Sequence, residues 1–326
     1  MEILVTGATG FTGSHLAKRL ISKGHKVRCL VRRSSNYSHL DEAGCVMFFG
    51  DLRDHVAVDA AVNGVDYIFN IAAVFRTWGL HDSVYYDTHV GGAKNLLESA
   101  KKHKIKRFIH CSTIGVHGSI QNPPGNEESP YNPGDIYQVT KLQAEQFVGN
   151  FCKDNNISYT IIRPAGIYGP EDLRFVKLFK SIARKRFLMI GNGETLWHPV
   201  YIDDLITGFE LAMVAPGADR QTFILGGPEY LSLNALTHHI ANELNVTIPK
   251  FHIPAKPIQT LGSICESMCR PFKIKPPLFR SRVDFFVKNR AFNISKAKQL
   301  LGYNPKYDIM TGIKLTVNWY SENSLL

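Results

Sequence analysis

The chain lacks long apolar runs: nowhere in its 326 residues does a stretch approach the roughly 18 uninterrupted apolar positions of a membrane-spanning helix. Its amino terminus does not open like a secretory leader either. Met1-Glu2-Ile3-Leu4-Val5 has no basic start and reaches Thr6-Gly7 at once, so the protein is expected to be made and kept in the cytoplasm. Cysteine is sparse. Cys29, Cys45, Cys111 and Cys152 are scattered, and the i, i+4 spacing of Cys265 and Cys269 is not that of a zinc knuckle. The thiols are expected to be reduced and packed as small apolar groups, with no metal. Acidic residues are also in short supply, 28 Asp and Glu against 38 Lys and Arg, and the net charge of +10 suggests an anionic partner. What is present, 44% hydrophobic and 20% charged residues, is the balance of a packed globular protein and excludes a disordered or collagen-like one.

Short β-branched runs alternate with helical patterns. Strands are expected at Ile3 to Val5, Val27 to Val31, Val46 to Phe49, Tyr67 to Ile71, Arg107 to Cys111 and Tyr159 to Arg163. Helices are expected at Ser14 to Lys23, His55 to Val62, Tyr85 to His103 and Tyr137 to Asp154, with a Pro- and Asn-rich loop from Gly118 to Gly134. This alternation predicts an α/β fold, a doubly wound parallel sheet with helices on both faces. After Gly169-Pro170 the pattern loosens, with a helix near Phe175 to Arg184, another at Ile202 to Val214 and a strand at Gln221 to Leu225. The expected division is a dinucleotide-binding domain over 1–170, to which 199–226 returns, and a smaller mixed lobe for substrate over 171–198 and 227–326.

The turn after the first strand reads Thr6-Gly7-Ala8-Thr9-Gly10-Phe11-Thr12-Gly13. Glycines at i, i+3 and i+6 allow a sharp turn, close approach to a pyrophosphate and tight packing of the next helix, whose first N–H groups face the anion. Gly7, Thr9, Gly10, Phe11, Thr12 and Gly13 are therefore cofactor candidates. The second strand ends in Arg32-Arg33-Ser34-Ser35, where a carboxylate would favour NAD(H). A guanidinium pair suits a 2′-phosphate instead, so NADP(H) is expected, with NAD(H) as the alternative if Arg32 and Arg33 are only solvated surface charges. After the third strand, Asp51 is placed to accept from the adenine amino group and Leu52 to cover its ring. After the fourth, the small Ala72 and Ala73 leave room for a ribose.

Tyr137 and Lys141 stand one helical turn apart, on one face. An ammonium there would lower the phenol's pKa and could also hold ribose hydroxyls. A hydroxyl from Ser112-Thr113, at the end of the fifth strand, would orient a substrate carbonyl in the same crevice.

These segments together with GDLRD, NIAA, STIGVHG, RPAGIYGP, HPVYIDDL and NRAFNISKAKQLLGY make the chain resemble the extended short-chain dehydrogenase/reductase superfamily, in its NAD-dependent epimerase/dehydratase group. The resemblance spans essentially the whole chain. It implies Thr113, five residues before Gly118, as the catalytic hydroxyl in preference to Ser112, Tyr137 and Lys141 as its partners, and Pro164 and Ile167 as further cofactor contacts. It also implies a homodimer through the helices near 85–103 and 137–154. The sequence departs from the sugar-nucleotide epimerases where Gly166 replaces a common Asn, where Trp197-His198-Pro199 replaces Arg-Asp-Phe, and where His89 replaces another Asn. The pattern looks closer to 3β-hydroxysteroid dehydrogenases and dihydroflavonol reductases.

Hydride transfer to or from a carbinol or ketone carbon of a moderately bulky small molecule is therefore expected. The alternatives are an epimerase or dehydratase that recycles tightly bound NAD, and a non-catalytic cofactor sensor, which would need no Tyr-Lys pair. Val74, Trp78, Gly166, Trp197 and His198 are the substrate candidates, with lobe packing as the plainer role for the aromatic ones. Between Lys250 and Arg290 nine basic residues stand against two acidic ones, beside apolar residues at helical spacing. Peripheral contact with an anionic membrane is one reading. The favoured one is a lobe helix that packs its apolar face and solvates its charges. Nucleic acid is not needed to account for the charge.

Overall fold

The structure is a computed structural model that describes residues 1–249, 251–269, 274 and 280–326, without the side chains of 280–282. Its first part runs β1 (Glu2–Thr6), α1 (Phe11–Ser22), β2 (Lys26–Val31), α2 (Ser38–Asp41), β3 (Val46–Phe49), α3 (His55–Val62) and β4 (Tyr67–Asn70). Next, α4 (Asp82–Tyr86) passes through a π-helical turn at Asp87–Gly91 into α5 (Gly92–His103), followed by β5 (Arg107–Cys111), a short 3-10 turn, α6 (Ile136–Asp154) and β6 (Tyr159–Pro164). The remainder comprises β7 (Gly166–Tyr168), α7 (Val176–Ala183), β8 (Met189–Ile190), β9 (Leu196–Trp197), β10 (Pro199–Tyr201), α8 (Ile202–Val214) and β11 (Gln221–Leu225), then β12 (Leu231–Ser232), α9 (Leu233–Glu243), β13 (His252–Ile253), α10 (Ala255–Cys269), α11 (Arg280–Val287), α12 (Ser295–Leu301) and α13 (Ile309–Glu322).

Seven parallel strands form one sheet in the order β11-β6-β5-β4-β1-β2-β3. Helices cover both faces, so the inner strands are apolar throughout: Ile3, Leu4, Val5, Ile68, Phe69, Phe108 and Ile109 are wholly buried. The edge strand β3 reads as an edge, with Val46 exposed. Helix starts are marked by acceptors for the free N–H groups, Asp54 for α3, Asp135 for α6, Ser232 for α9 and Asp308 for α13. Chain order reverses between β1 and β4, which opens the crevice at the carboxyl ends of these two strands. α8 and β11 return to this sheet: β11 pairs with β6 from Gln221 opposite Thr160 to Leu225 opposite Pro164, and Arg19 of α1 holds Asp203 of α8 at 3.1 Å. The other late strands form three two-stranded ribbons, β7 with β10, β9 with β12 and β8 with β13.

One prediction about the late segment holds only in part. α10 leaves much of its apolar face uncovered: Leu261, Ile264 and Met268 are 55%, 50% and 67% exposed, while Ile258, Cys265 and Cys269 are half-buried, and Gly262 is its one buried residue among those described. Lys250, Arg270, Lys273 and Lys275 of the basic segment lie outside the described residues.

A buried ionic cluster joins α6, β6 and the loop from Gly118 to Gly134. Arg163, 2% exposed, grips Glu145, 4% exposed, through both Nε and Nη2. Its remaining donors reach the Glu127 carbonyl at 2.8 Å, the His117 ring at 3.0 Å and the Tyr131 hydroxyl at 2.7 Å. Glu127 in turn accepts the Ile224 N–H of β11 at 2.8 Å. A buried guanidinium is tolerable only when its donors are matched in this way. Arg163→Met would leave the Glu145 charge buried without its partner, and should lower the unfolding free energy by about 3–5 kcal/mol in a denaturant titration. A loss below about 1 kcal/mol would show that the cluster is not structural.

Candidate active site

A cavity of about 770 Å³ opens along the carboxyl ends of the sheet, a size suited to a cofactor and a small molecule together. At its floor the β1–α1 turn approaches β4 so closely that a Cβ on Gly7, which has φ of +71°, would stand 2.7 Å from the Ala72 backbone. A Cβ on Gly13 would stand 2.2 Å from the Gly7 carbonyl. Gly10 precedes α1 in extended conformation and caps it with no side chain, which leaves the first-turn N–H groups for an anion. The predicted Thr9, Phe11, Thr12, Asp51, Leu52, Ala72 and Ala73 line the same space, as do Pro164 and Ile167. Leu52 is fixed from behind, since a Cβ on Gly92 would stand 2.4 Å from its Cδ2. Asp51 holds Arg53 through both oxygens, at 2.8 and 2.9 Å. These residues fit a dinucleotide: a close-approach turn, an uncapped helix start and, at the end of β2, the exposed Arg32.

Arg33 does not line the cavity. Its guanidinium lies over the Phe49 ring, 4.6 Å from the centroid, in the turn that begins once β2 has ended at Val31. Two substrate candidates are also corrected. Trp78 is not among the lining residues; the loop that carries it folds onto α4, where the Tyr85 hydroxyl accepts from the Thr77 N–H at 2.8 Å. His198 is 2% exposed and bonds the Gly227 carbonyl at 3.0 Å, while its ring fills the space where a Gly226 Cβ would be. It braces a turn and does not reach the cavity.

Thr113, Tyr137 and Lys141 all face the cavity. Ser112 lines it as well, but its hydroxyl donates to Glu145 Oε2 at 2.5 Å. Thr113 Oγ1 accepts the Gly115 N–H at 3.0 Å, so its own proton is free to be donated. Lys141 is fully enclosed and donates to the Cys111 carbonyl. The electrostatics differ from the expectation that Lys141 lowers the phenol's pKa. Burial pushes the Tyr137 phenol up to about 12, and the cations that draw it back are Arg76 and Arg174. Burial also lowers the Lys141 ammonium, with Glu145 offsetting part of the loss.

His89, in place of the Asn, pins this region from the π-helical turn. Its Nε2 accepts the Val74 N–H at 3.0 Å, and its Nδ1 meets Thr140 Oγ1 at 2.8 Å. Thr140 Oγ1 gives its own proton to the Ile136 carbonyl, so His89 must carry its hydrogen on Nδ1 and is neutral. Burial, with Lys141 nearby, lowers its pKa to about 3. The ring meets Tyr137 edge-on at 5.7 Å.

The far end of the cavity is aromatic. Gly166 and Trp197 occupy one space: a Cβ on Gly166 would stand 2.4 Å from the indole. Phe175 and Phe285 pack on that indole at 5.6 and 6.1 Å, and Val74 and Phe75 close the wall nearer Tyr137. Arg174, Phe175, Phe285 and Arg290 were not expected here. No spacing signals them: Arg174 and Phe175 from the loop before α7, and Phe285 and Arg290 from α11 and the segment after it, reach the site only through the tertiary fold.

The chain belongs to the NAD-dependent epimerase/dehydratase family, whose family model matches residues 3–226. It is thereby a member of the extended short-chain dehydrogenase/reductase superfamily and an enzyme, as its relatives are. A 2-alkyl-3-oxoalkanoate reductase of Stenotrophomonas maltophilia is 30% identical, over 96% of this chain and 98% of that one. A 3β-hydroxysteroid dehydrogenase/Δ5→4-isomerase of Mycobacterium tuberculosis is 28% identical, over 98% and 90%. A UDP-glucose 4-epimerase of Thermotoga maritima, solved with UDP-glucose, superposes with a TM-score of 0.80 at 25% identity, over 99% of this chain and all of that one.

Gly166→Asn, which restores the residue common in epimerases, should drive out the Trp197 indole. Overpacking of this kind costs about 1–3 kcal/mol, to be read as a lower melting temperature with altered tryptophan fluorescence. An unshifted melting curve and spectrum would show that the two residues do not compete for one space.

Proposed function

We propose that the protein is an NADP(H)-dependent oxidoreductase that interconverts a carbinol and a ketone on a bulky, largely apolar substrate. The observation that carries this reading is the occupation of the Gly166 position by the Trp197 ring, which leaves an aromatic wall where an epimerase of the sugar-nucleotide type has polar side chains. The reductase and dehydrogenase relatives support it by the substrates in their names.

When bound, the nicotinamide supplies the hydride donor or acceptor. The chain's own groups handle the oxygen. Thr113, whose acceptor side is taken by the Gly115 amide, donates to the substrate oxygen and orients the carbonyl. Tyr137 gives its phenolic proton to that oxygen as the carbon gains hydride, or takes the proton as the carbon loses it, so ketone plus hydride plus proton equals carbinol. Lys141, on the same face of α6, is placed to hold the nicotinamide ribose hydroxyls, and Arg76 and Arg174 offset the charge left on the phenol.

Arg32 supports NADP(H): it is exposed at the cavity and makes no ion pair among the described residues. Six free thiols are consistent with a reducing compartment such as the cytoplasm. Partly buried Phe147 and Phe151, 5.7 Å apart on α6, are consistent with a homodimer there. The reading also takes 171–198 and 227–326 as the substrate lobe.

Tyr137→Phe should cut turnover by about 10²–10⁴-fold while cofactor binding persists; undiminished turnover would remove Tyr137 from the mechanism. Titration should show tighter binding of NADP than of NAD, with the order reversed in Arg32→Glu. Equal binding of both by the wild type would deny Arg32 its role. Nucleotide retained through purification, with no net redox turnover, would favour the epimerase instead.

A further inference from the structure

Among the described residues the cavity is lined by six cationic side chains and one carboxylate, Asp51. Three of the cations have ionic partners: Arg53 with Asp51 at 2.8 Å, Arg76 with Asp135 at 2.9 Å and Arg174 with Asp172 at 2.7 Å. Lys141 is bonded to the Cys111 carbonyl. The two that remain, Arg32 and Arg290, lie towards the adenosine end and the substrate end respectively.

Arg290 follows α11. Its backbone N–H donates to the Leu196 carbonyl at 2.8 Å, and it bridges to Trp197, which sets its guanidinium at the aromatic wall. Nε is buried with no hydrogen-bond partner among the described residues. The carboxylates that act on it electrostatically are both engaged, Asp284 with Lys288 at 2.7 Å and Asp135 with Arg76. The residues outside the description include no Asp or Glu that could serve instead. Burial, reinforced by the nearby Arg76 charge, lowers its pKa to about 10, so it remains a cation at neutral pH. A part-enclosed guanidinium without a counter-ion is unfavourable unless a ligand completes it.

We infer that Arg290 is a specificity residue that binds a carboxylate of the substrate, which makes the substrate a hydroxy or oxo acid with an apolar body. One unmatched cation fits a single monoanion, and the planar fork matches both oxygens of a carboxylate. The acid site and the reacting groups share one cavity, and Arg76 stands near both: its guanidinium is 5.7 Å from the Tyr137 ring centroid and its charge acts on Arg290. This assignment rests on the oxidoreductase reading above and deepens it.

The test offers the full-length protein, with oxidised cofactor, 3-hydroxydecanoate and its methyl ester, and follows reduced-nicotinamide absorbance. The wild type should prefer the acid by about 10–100-fold in kcat/KM, the range of a charge-assisted hydrogen bond. Arg290→Gln should bring that ratio close to one, and Arg290→Lys should keep part of it. Quenching of Trp197 fluorescence by decanoate, which cannot react, gives an independent binding readout that should weaken by a similar factor in Arg290→Gln and be absent with methyl decanoate. Acid and ester turned over equally by the wild type would overturn the Arg290 assignment and leave the oxidoreductase reading intact. Neither substrate turned over, with Arg290-dependent decanoate binding, would overturn that reading for such carbinols and uphold the anion site. Failure of both readouts would overturn the two together. Should Arg290→Gln not fold, the acid-to-ester comparisons in the wild type and Arg290→Lys decide.

Discussion

The grip of Arg163 on Glu145 sets the geometry from which the site is built. Glu145 belongs to α6, one turn beyond Lys141 and two beyond Tyr137, and Arg163 ends β6. Their pairing fixes how far α6 slides along the sheet. Through Ser112, the same carboxylate holds the end of β5 and so places Thr113. Through Glu127, the loop from Gly118 to Gly134 is tied to β11. A pair this deeply buried contributes less by net attraction than by the penalty for any arrangement that would separate it. It therefore specifies one register for α6 and the end of β5, which between them supply Tyr137, Lys141 and Thr113.

Around that frame the cavity has two unlike ends. Near β1 and β2 it is backbone and small side chains, shaped by Gly7 and Gly13, where approach distance matters more than side-chain chemistry. Beyond Tyr137 it is aromatic, and its shape comes from Gly166 yielding space to Trp197. A departure from the sugar-nucleotide pattern at one of these positions is thus inseparable from the departure at the other. His89 completes the change on the opposite side: it exchanges an amide for a neutral ring that anchors Val74 and abuts Tyr137.

Most of the sheet was legible in the sequence because parallel strands buried on both faces leave unbroken β-branched runs, as at Ile3 to Val5 and Tyr159 to Arg163. The glycine turn and the Tyr-Lys spacing were equally legible, since both are local. What depends on distant contacts was not. Arg33 was paired with Arg32, although it stands in the turn after β2 and its guanidinium packs over Phe49. His198 and Trp78 were read from the company they keep along the chain, yet neither lines the cavity, and His198 braces its own turn. The exposed face of α10 limited an amphipathic argument: periodicity establishes that a helix has an apolar side, not that anything within the chain covers it. Arg290 carries no local signal at all, as its meaning lies in the engagement of its nearby carboxylates, Asp284 and Asp135, by other cations.

The π-helical turn at Asp87–Gly91 means that α4 and α5, though continuous, do not share one angular register. A regular α-helix advances about 100° per residue, so the extra residue held in the wide turn shifts everything on one side of it relative to the other by about that angle. On the α5 side Leu96 and Leu97 must face the sheet; on the α4 side Tyr85 must clamp the Thr77 loop. A shortening by one residue would satisfy only one of these demands, and His89 would swing away from Val74 and Tyr137. The irregularity is the joint that lets a single helix belong to the cofactor-binding layer at one end and to the substrate wall at the other.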